Sequence, residues 1–121
     1  MSIVNFEEIT KELDDEEKKL VPILISGFKT HKKENPIKEP SIINAINRQQ
    51  EKYLLRKKLT SARFRKLCNF IRVTGLLHLI ATSEGYYVSY DQIDLKKQII
   101  SLEQRARSIL NASNGLKKFI Q

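Results

Sequence analysis

The chain has no tryptophan and one cysteine, Cys68, so an intramolecular disulfide is excluded and a reducing cytoplasm is the expected compartment. It also lacks any apolar run of membrane-spanning length. The stretches 20–26 and 76–81 are the size of core pieces, so no membrane partner is expected. The acidic opening, MSIVNFEEITKELDDEE, does not have the layout of a signal peptide. Catalytic equipment is missing as well. His31 lies in a lysine-rich loop and His78 between leucines, neither with a Cys, Asp or Glu at metal-ligand spacing. There is no glycine-rich phosphate loop and no Ser/His/Asp set, and Cys68 falls on an apolar helix face where a thiol is packing. No enzyme, cofactor or metal is expected.

What the chain does have is positive charge, and the charge is concentrated. Between Arg48 and Arg72 stand nine basic residues and a single acid, Glu51, which accounts for the whole net charge of +8. From Glu7 to Lys19 the balance reverses, with seven acids against three lysines. A basic patch of this kind is the electrostatic footprint of a polyanion partner, because neutralising phosphates releases condensed counterions. The alternative is a solvated basic face that only aids solubility.

The patch coincides with the most legible stretch, residues 59–89. Thr60 and Ser61 are suitable N-caps, and Phe64, Leu67, Cys68 and Ile71 recur at helical spacing on one face. Gly75 falls where a helix ends in a left-handed residue. LLHLIAT and YYVSY follow, rich in β-branched and aromatic residues, with Ser83-Glu84-Gly85 between them as a hairpin tip. Tyr86 and Tyr87 must point to opposite faces, one into the core and one partly exposed. A basic helix leading directly into a β-hairpin is the C-terminal half of a winged helix-turn-helix.

The preceding segments read as helices that support it. Residues 5–13 place Phe6, Ile9 and Leu13 on one side. A second helix runs from Asp15 or Glu16 to about His31, with Leu20, Ile23, Leu24 and Phe28 as its stripe and Pro22 marking a start or a kink. After the polar connection 29–38, Pro40 suits the first position of a helix that buries Ile42, Ile43 and Ile46 and ends near Asn47. The next link, residues 48–58, is much longer than the three or four residues of a compact helix-turn-helix, and Tyr53, Leu54 and Leu55 offer surface to pin it down.

After the hairpin, Asp91 or Ser89 caps a long helix. Leu95, Ile99, Leu102, Ala106, Ile109, Ser113, Leu116 and Ile120 follow at alternating spacings of four and three, an a/d seam of more than three heptads. Ile100 and Leu110 widen it, while Ser113, Asn114 and Gly115 weaken its last third. The reading is a mainly α chain with a small β-hairpin: a winged-helix domain over 1–90 and an amphipathic helix over 91–121. Leu95, Ile99, Leu102, Ala106, Ile109 and Leu116 are the expected homodimer contacts; the alternative is a helix packed along its own domain.

On the basic helix 60–74, Ala62, Arg65, Lys66 and Asn69 project away from the apolar face, where a recognition helix meets base edges in the major groove. Arg65 and Lys66 suit guanine O6 and N7, Asn69 suits adenine, and Ala62 suits a thymine methyl. Lys57, Lys58, Ser61, Arg63 and Arg72 are assigned to phosphates, which fix orientation without reading sequence. Thr82 and Ser83 can bond phosphate from the wing; Glu84 at the tip is repelled by it.

The run LTSARFRKLCNFIRVTGL through IATSEGYYVS also resembles a group of small winged-helix proteins of bacteriophages, prophages and mobile elements. The likeness rests on Ile71-Arg72 with Gly75, and on Ile80-Ala81-Thr82-Ser83-Glu84-Gly85-Tyr86-Tyr87, the I-A-T-S-x-G-Y-Y pattern of the wing. The wing is similar to that of biotin-repressor-type winged helices too. Glu84 stands at a variable position that is often basic in the group. The resemblance implies double-stranded DNA as partner and a role in transcriptional regulation or another phage DNA transaction. Two other readings compete: a winged-helix adaptor that binds protein in a phage replication or assembly complex, and an RNA binder.

Overall fold

The computed structural model describes residues 11–120. The architecture is mainly helical, with a small two-stranded antiparallel hairpin and a long C-terminal helix. The chain divides into two compact units, Met1–Ser89 and Tyr90–Gln121.

In the first unit, helix α1 (Asp15–Phe28) begins at a reciprocal capping box. The Asp14 carboxylate accepts from the Glu17 amide at 2.7 Å, and Glu17 Oε1 accepts from the Asp14 amide at 3.0 Å. Two otherwise orphaned donors are satisfied, and three acids stand at the positive end of the helix dipole. The helix continues through Pro22, which is exposed, and ends at Phe28, short of the expected His31. Of the expected helix over 5–13, residues 5–10 lie outside the described residues and 11–13 are not helical.

Helix α2 (Glu39–Arg48) starts one residue earlier than expected, so Pro40 is its second residue. Ile42 and Ile46 are buried and Ile43 is half-buried. The long link that follows is held from both sides. Asn47 grips Leu59, its Nδ2 donating to the Leu59 carbonyl at 3.1 Å and its Oδ1 accepting from the Leu59 amide at 2.7 Å. Gln50 Nε2 donates to the Leu55 carbonyl, and the Arg56 amide donates to Glu16 Oε1 at 2.6 Å. Leu55 and Leu59 are buried; Leu54 is exposed, with a positive φ of 54°.

Helix α3 (Ser61–Val73) is capped by Thr60, whose Oγ1 accepts from the Arg63 amide at 3.2 Å. Phe64, Leu67 and Ile71 are wholly buried at the centre of the unit, where each contributes about 1.5–3 kcal/mol over leaving it exposed. The helix closes on Gly75 at φ +69°: the Gly75 amide bonds the Arg72 carbonyl and the Leu76 amide bonds the Ile71 carbonyl. That pair of bonds is a Schellman motif, with glycine in the left-handed position.

Strands β1 (Leu79–Thr82) and β2 (Gly85–Val88) pair in register Leu79↔Val88 to Thr82↔Gly85, leaving Ser83-Glu84 as the connection. A third stretch joins at one point. Ile37, in the loop before α2, exchanges both backbone hydrogen bonds with Tyr86, at 2.9 and 2.7 Å. Gly85 makes this approach possible, because a Cβ there would stand 2.6 Å from the Ile37 carbonyl oxygen. The Tyr86 ring packs on Phe28 and edge-on against Phe64, at centroid distances of 5.7 and 5.4 Å. Tyr87, on the opposite face of the strand, is buried more completely than Tyr86, so the partly exposed tyrosine is the one that touches the core.

The second unit is helix α4 (Gln92–Lys117), capped by Asp91, whose carboxylate accepts from the Ile93 amide at 2.8 Å. Its 26 residues make it about 39 Å long. It continues through Ser113, Asn114 and Gly115 without a break. No helix among the described residues is long and apolar enough to cross a membrane.

Candidate nucleic-acid interface

The core side of α3 is set by Phe64, Leu67, Cys68 and Ile71, and with 100° between successive residues this orients everything else on the helix. Ser61, Arg65 and Asn69 form an exposed row, flanked by Ala62, Lys66 and Arg72, which are half-buried. Lys57 and Lys58 are exposed in the link just before the helix. Ser61, Ala62, Arg65, Lys66, Asn69 and Arg72 thus share the side of α3 away from its apolar face, whereas Lys57 and Lys58 line a cleft with Asp14, Glu16, Glu17 and Arg63. Ser83 is exposed at the hairpin turn.

Arg63 is a correction. Expected on phosphate, it is instead buried to 8% exposure and fully engaged inside the unit. Its Nε and Nη2 donate to the two carboxylate oxygens of Glu17 at 2.6 and 2.7 Å, while Nη1 and Nη2 reach the Lys11 and Glu12 carbonyls at 2.8 and 3.1 Å. Burial works to raise the pKa of Glu17, but the hydrogen bond and charge of Arg63, with the Asp14 amide, outweigh it and hold the carboxyl below its ordinary value. Arg63 thus clamps the start of α1 to the start of α3. Its position beside Phe64 and one turn before Leu67 puts it at the edge of the apolar arc, which is the signal the sequence offers.

Arg72 is also drawn inward: its Nε donates to the Leu79 carbonyl at 3.3 Å, tying α3 to β1. Thr82 is occupied locally, its Oγ1 accepting from the Glu84 amide at 3.1 Å and lying 3.4 Å from the Gly85 carbonyl. Arg72 and Thr82, expected on phosphate, thus both also serve the hairpin.

The residue that sequence reasoning missed is Glu39, the first residue of α2. Its carboxylate accepts from the Ser61 hydroxyl and from Arg65, Nε to Oε1 at 3.0 Å and Nη2 to Oε2 at 3.4 Å. Ser61, expected on phosphate, directs its hydroxyl proton at Glu39. An acid ahead of Pro40 reads from sequence only as dipole matching. Beneath the row, burial pushes the Cys68 thiol and the Tyr86 hydroxyl each up to about 12, so both stay protonated packing groups at neutral pH.

Among the described residues, no group of three His, Cys, Asp or Glu side chains is placed to hold a metal ion. On α4, the seam residues Ile99, Leu102, Ala106, Ile109 and Leu116 are exposed and Leu95 is half-buried. No protein-family model, curated protein or solved structure matches the chain.

Proposed function

We propose that this chain is a winged helix-turn-helix protein that binds double-stranded DNA as a homodimer and regulates transcription in a phage or prophage setting. In this reading α2 and α3 form the helix-turn-helix with an extended link, and β1–β2 with the Ile37 bridge form the wing. α3 enters the major groove. Arg65, Lys66, Asn69 and Ala62 face base edges, while Lys57 and Lys58 bind phosphates. α4 pairs two copies through Leu95, Ile99, Leu102, Ala106, Ile109 and Leu116.

The observation that carries the reading is the exposed row on α3, Ser61, Arg65 and Asn69 flanked by Lys66. A helix anchored by four apolar residues and turning basic and amide side chains outward has the chemistry of major-groove readout. The concentration of net charge on residues 48–72 adds the sequence-independent attraction that such a protein needs.

The test is fluorescence anisotropy of a labelled duplex of about 30 base pairs, titrated at several salt concentrations. Wild-type binding is expected to weaken steeply with salt, and the Arg65→Ala/Lys66→Ala double variant to bind at least tenfold more weakly, on the order of two lost base contacts. No binding at low salt would refute the proposal and turn attention to a protein partner. Preference for structured RNA over duplex DNA of equal length would refute it in the other direction.

A further inference from the structure

Glu39 presents a difficulty for a DNA-binding face: a carboxylate placed against the row that should meet an anionic duplex. It is not a stray surface acid. Its side chain is only 19% exposed, whereas the Arg65 side chain it holds is 70% exposed. The Ser61 hydroxyl tethers the same carboxylate from the first turn of α3, so Glu39 is fixed by two groups of the helix it faces. It also begins α2 two residues after Ile37, whose backbone is bonded to the hairpin at Tyr86. The position of the carboxylate is thus set by α2, α3 and β2 together.

The pairing has a particular geometry. Glu39 takes Arg65 side-on, using Nε–H and one Nη2–H. A guanidinium carries five N–H donors in a rigid plane, so the side-on pair leaves its end edge, Nη1 and the second Nη2 hydrogen, as two parallel donors. Two parallel donors at that spacing match O6 and N7 of guanine. The carboxylate also offsets charge on Arg65, and charge is what binds phosphate without regard to sequence. One acid therefore weakens the promiscuous use of Arg65 and keeps the selective one.

Resting on the DNA-binding reading, we infer that Glu39 is a positioning residue for base recognition: it orients Arg65 end-on toward a guanine and lowers its attraction to phosphate. Glu39 touches no base itself. Its contribution is to the ratio between correct and incorrect sites, and it weakens binding to DNA in general.

The experiment starts from the best duplex that the full-length wild-type chain selects from a random library, and from the same duplex with each G·C pair replaced in turn. Affinities are measured for wild type, Glu39→Gln, Arg65→Ala and the double variant. Glu39→Gln should bind unrelated duplex more tightly, by about threefold for one acid removed near phosphates, and should lose about tenfold in discrimination at one G·C pair. Arg65→Ala should lose discrimination at that same pair with little change in salt slope. In the Arg65→Ala background, Glu39→Gln should have no further effect on discrimination. Should Glu39→Gln melt at low temperature, Ser61→Ala, which removes the second tether, provides the same reading with a smaller loss. A uniform rise in affinity with discrimination intact would overturn the inference and leave DNA binding standing. Failure of the wild type to bind any duplex would overturn both.

Discussion

Arg63 and Arg65 are two residues apart and meet opposite fates. Both are arginines on a basic helix, and composition alone gives them the same role. The 200° between them sends Arg63 to the edge of the core and Arg65 into solvent. Glutamates receive both, and burial makes the difference. The Glu17–Arg63 pair has side-chain exposures of 14% and 10%, and the guanidinium also serves two backbone carbonyls. Removing one partner from a buried pair leaves the other desolvated and uncompensated, so Glu17→Gln should cost about 3 kcal/mol in urea unfolding at neutral pH. The loss is pH-dependent with a definite sign. Glu17 titrates below its ordinary 4.5 in the folded chain, so its stabilisation is complete above that value and disappears as pH falls through the lowered one. Wild type and Glu17→Gln should therefore converge in unfolding midpoint on acidification. A gap that persisted once acidification had protonated the carboxyl in the folded chain would mean that the side chain acts through packing and not through its charge.

The elements of the chain divide by how local their causes are. The two glycines of the hairpin region show it best. Gly75 has φ +69° with open space around its Cβ position, so Gly75→Ala meets only backbone strain, about 1–2 kcal/mol. Gly85, at φ +128°, adds a Cβ approach of 2.6 Å to a backbone carbonyl that cannot move without breaking the Ile37–Tyr86 bridge. Thermal melts should show Gly85→Ala destabilised by at least about 2 kcal/mol more than Gly75→Ala. Equal losses would mean that the bridge contributes nothing. The role of Gly75 was legible in sequence because a helix stop depends on its own residues. That of Gly85 was not, because its neighbour lies 48 positions earlier in the chain. The same division runs through the rest. Asp14, Thr60 and Asp91 cap their helices through bonds two or three residues long, and the two-stranded hairpin follows from alternation and turn chemistry. The candidate site was legible as a face, since helical period alone separates Arg65 and Asn69 from Phe64 and Leu67. Which arginine would be taken inside, and that Glu39 would hold another, depended on contacts between segments 22 or more residues apart.

At the scale of the whole molecule, the unexplained feature is apolar surface in the wrong place. Ile109 and Leu116 are 69% and 67% exposed, in the last third and at the end of α4, and Ile99 is 53% exposed on the same seam. Scattered apolar residues on a surface need no explanation, but a row repeating every three and four residues does. The proposed homodimer supplies one: two α4 helices pack a and d side chains into each other over more than three heptads, and two α3 helices become linked for binding paired half-sites. Linkage converts the second recognition event into an intramolecular one at an effective concentration near millimolar, so losing it should lower apparent affinity for a two-half-site duplex by about a hundredfold. The variant Ile109→Glu/Leu116→Glu tests this without touching α3. It should sediment as a monomer where wild type sediments as a dimer, and circular dichroism should show the first unit still folded. On DNA it should keep binding to a single half-site and lose the gain from a second. A wild-type chain that stayed monomeric at tens of micromolar would remove the dimer from the proposal, and the seam would then need a different kind of partner to cover it.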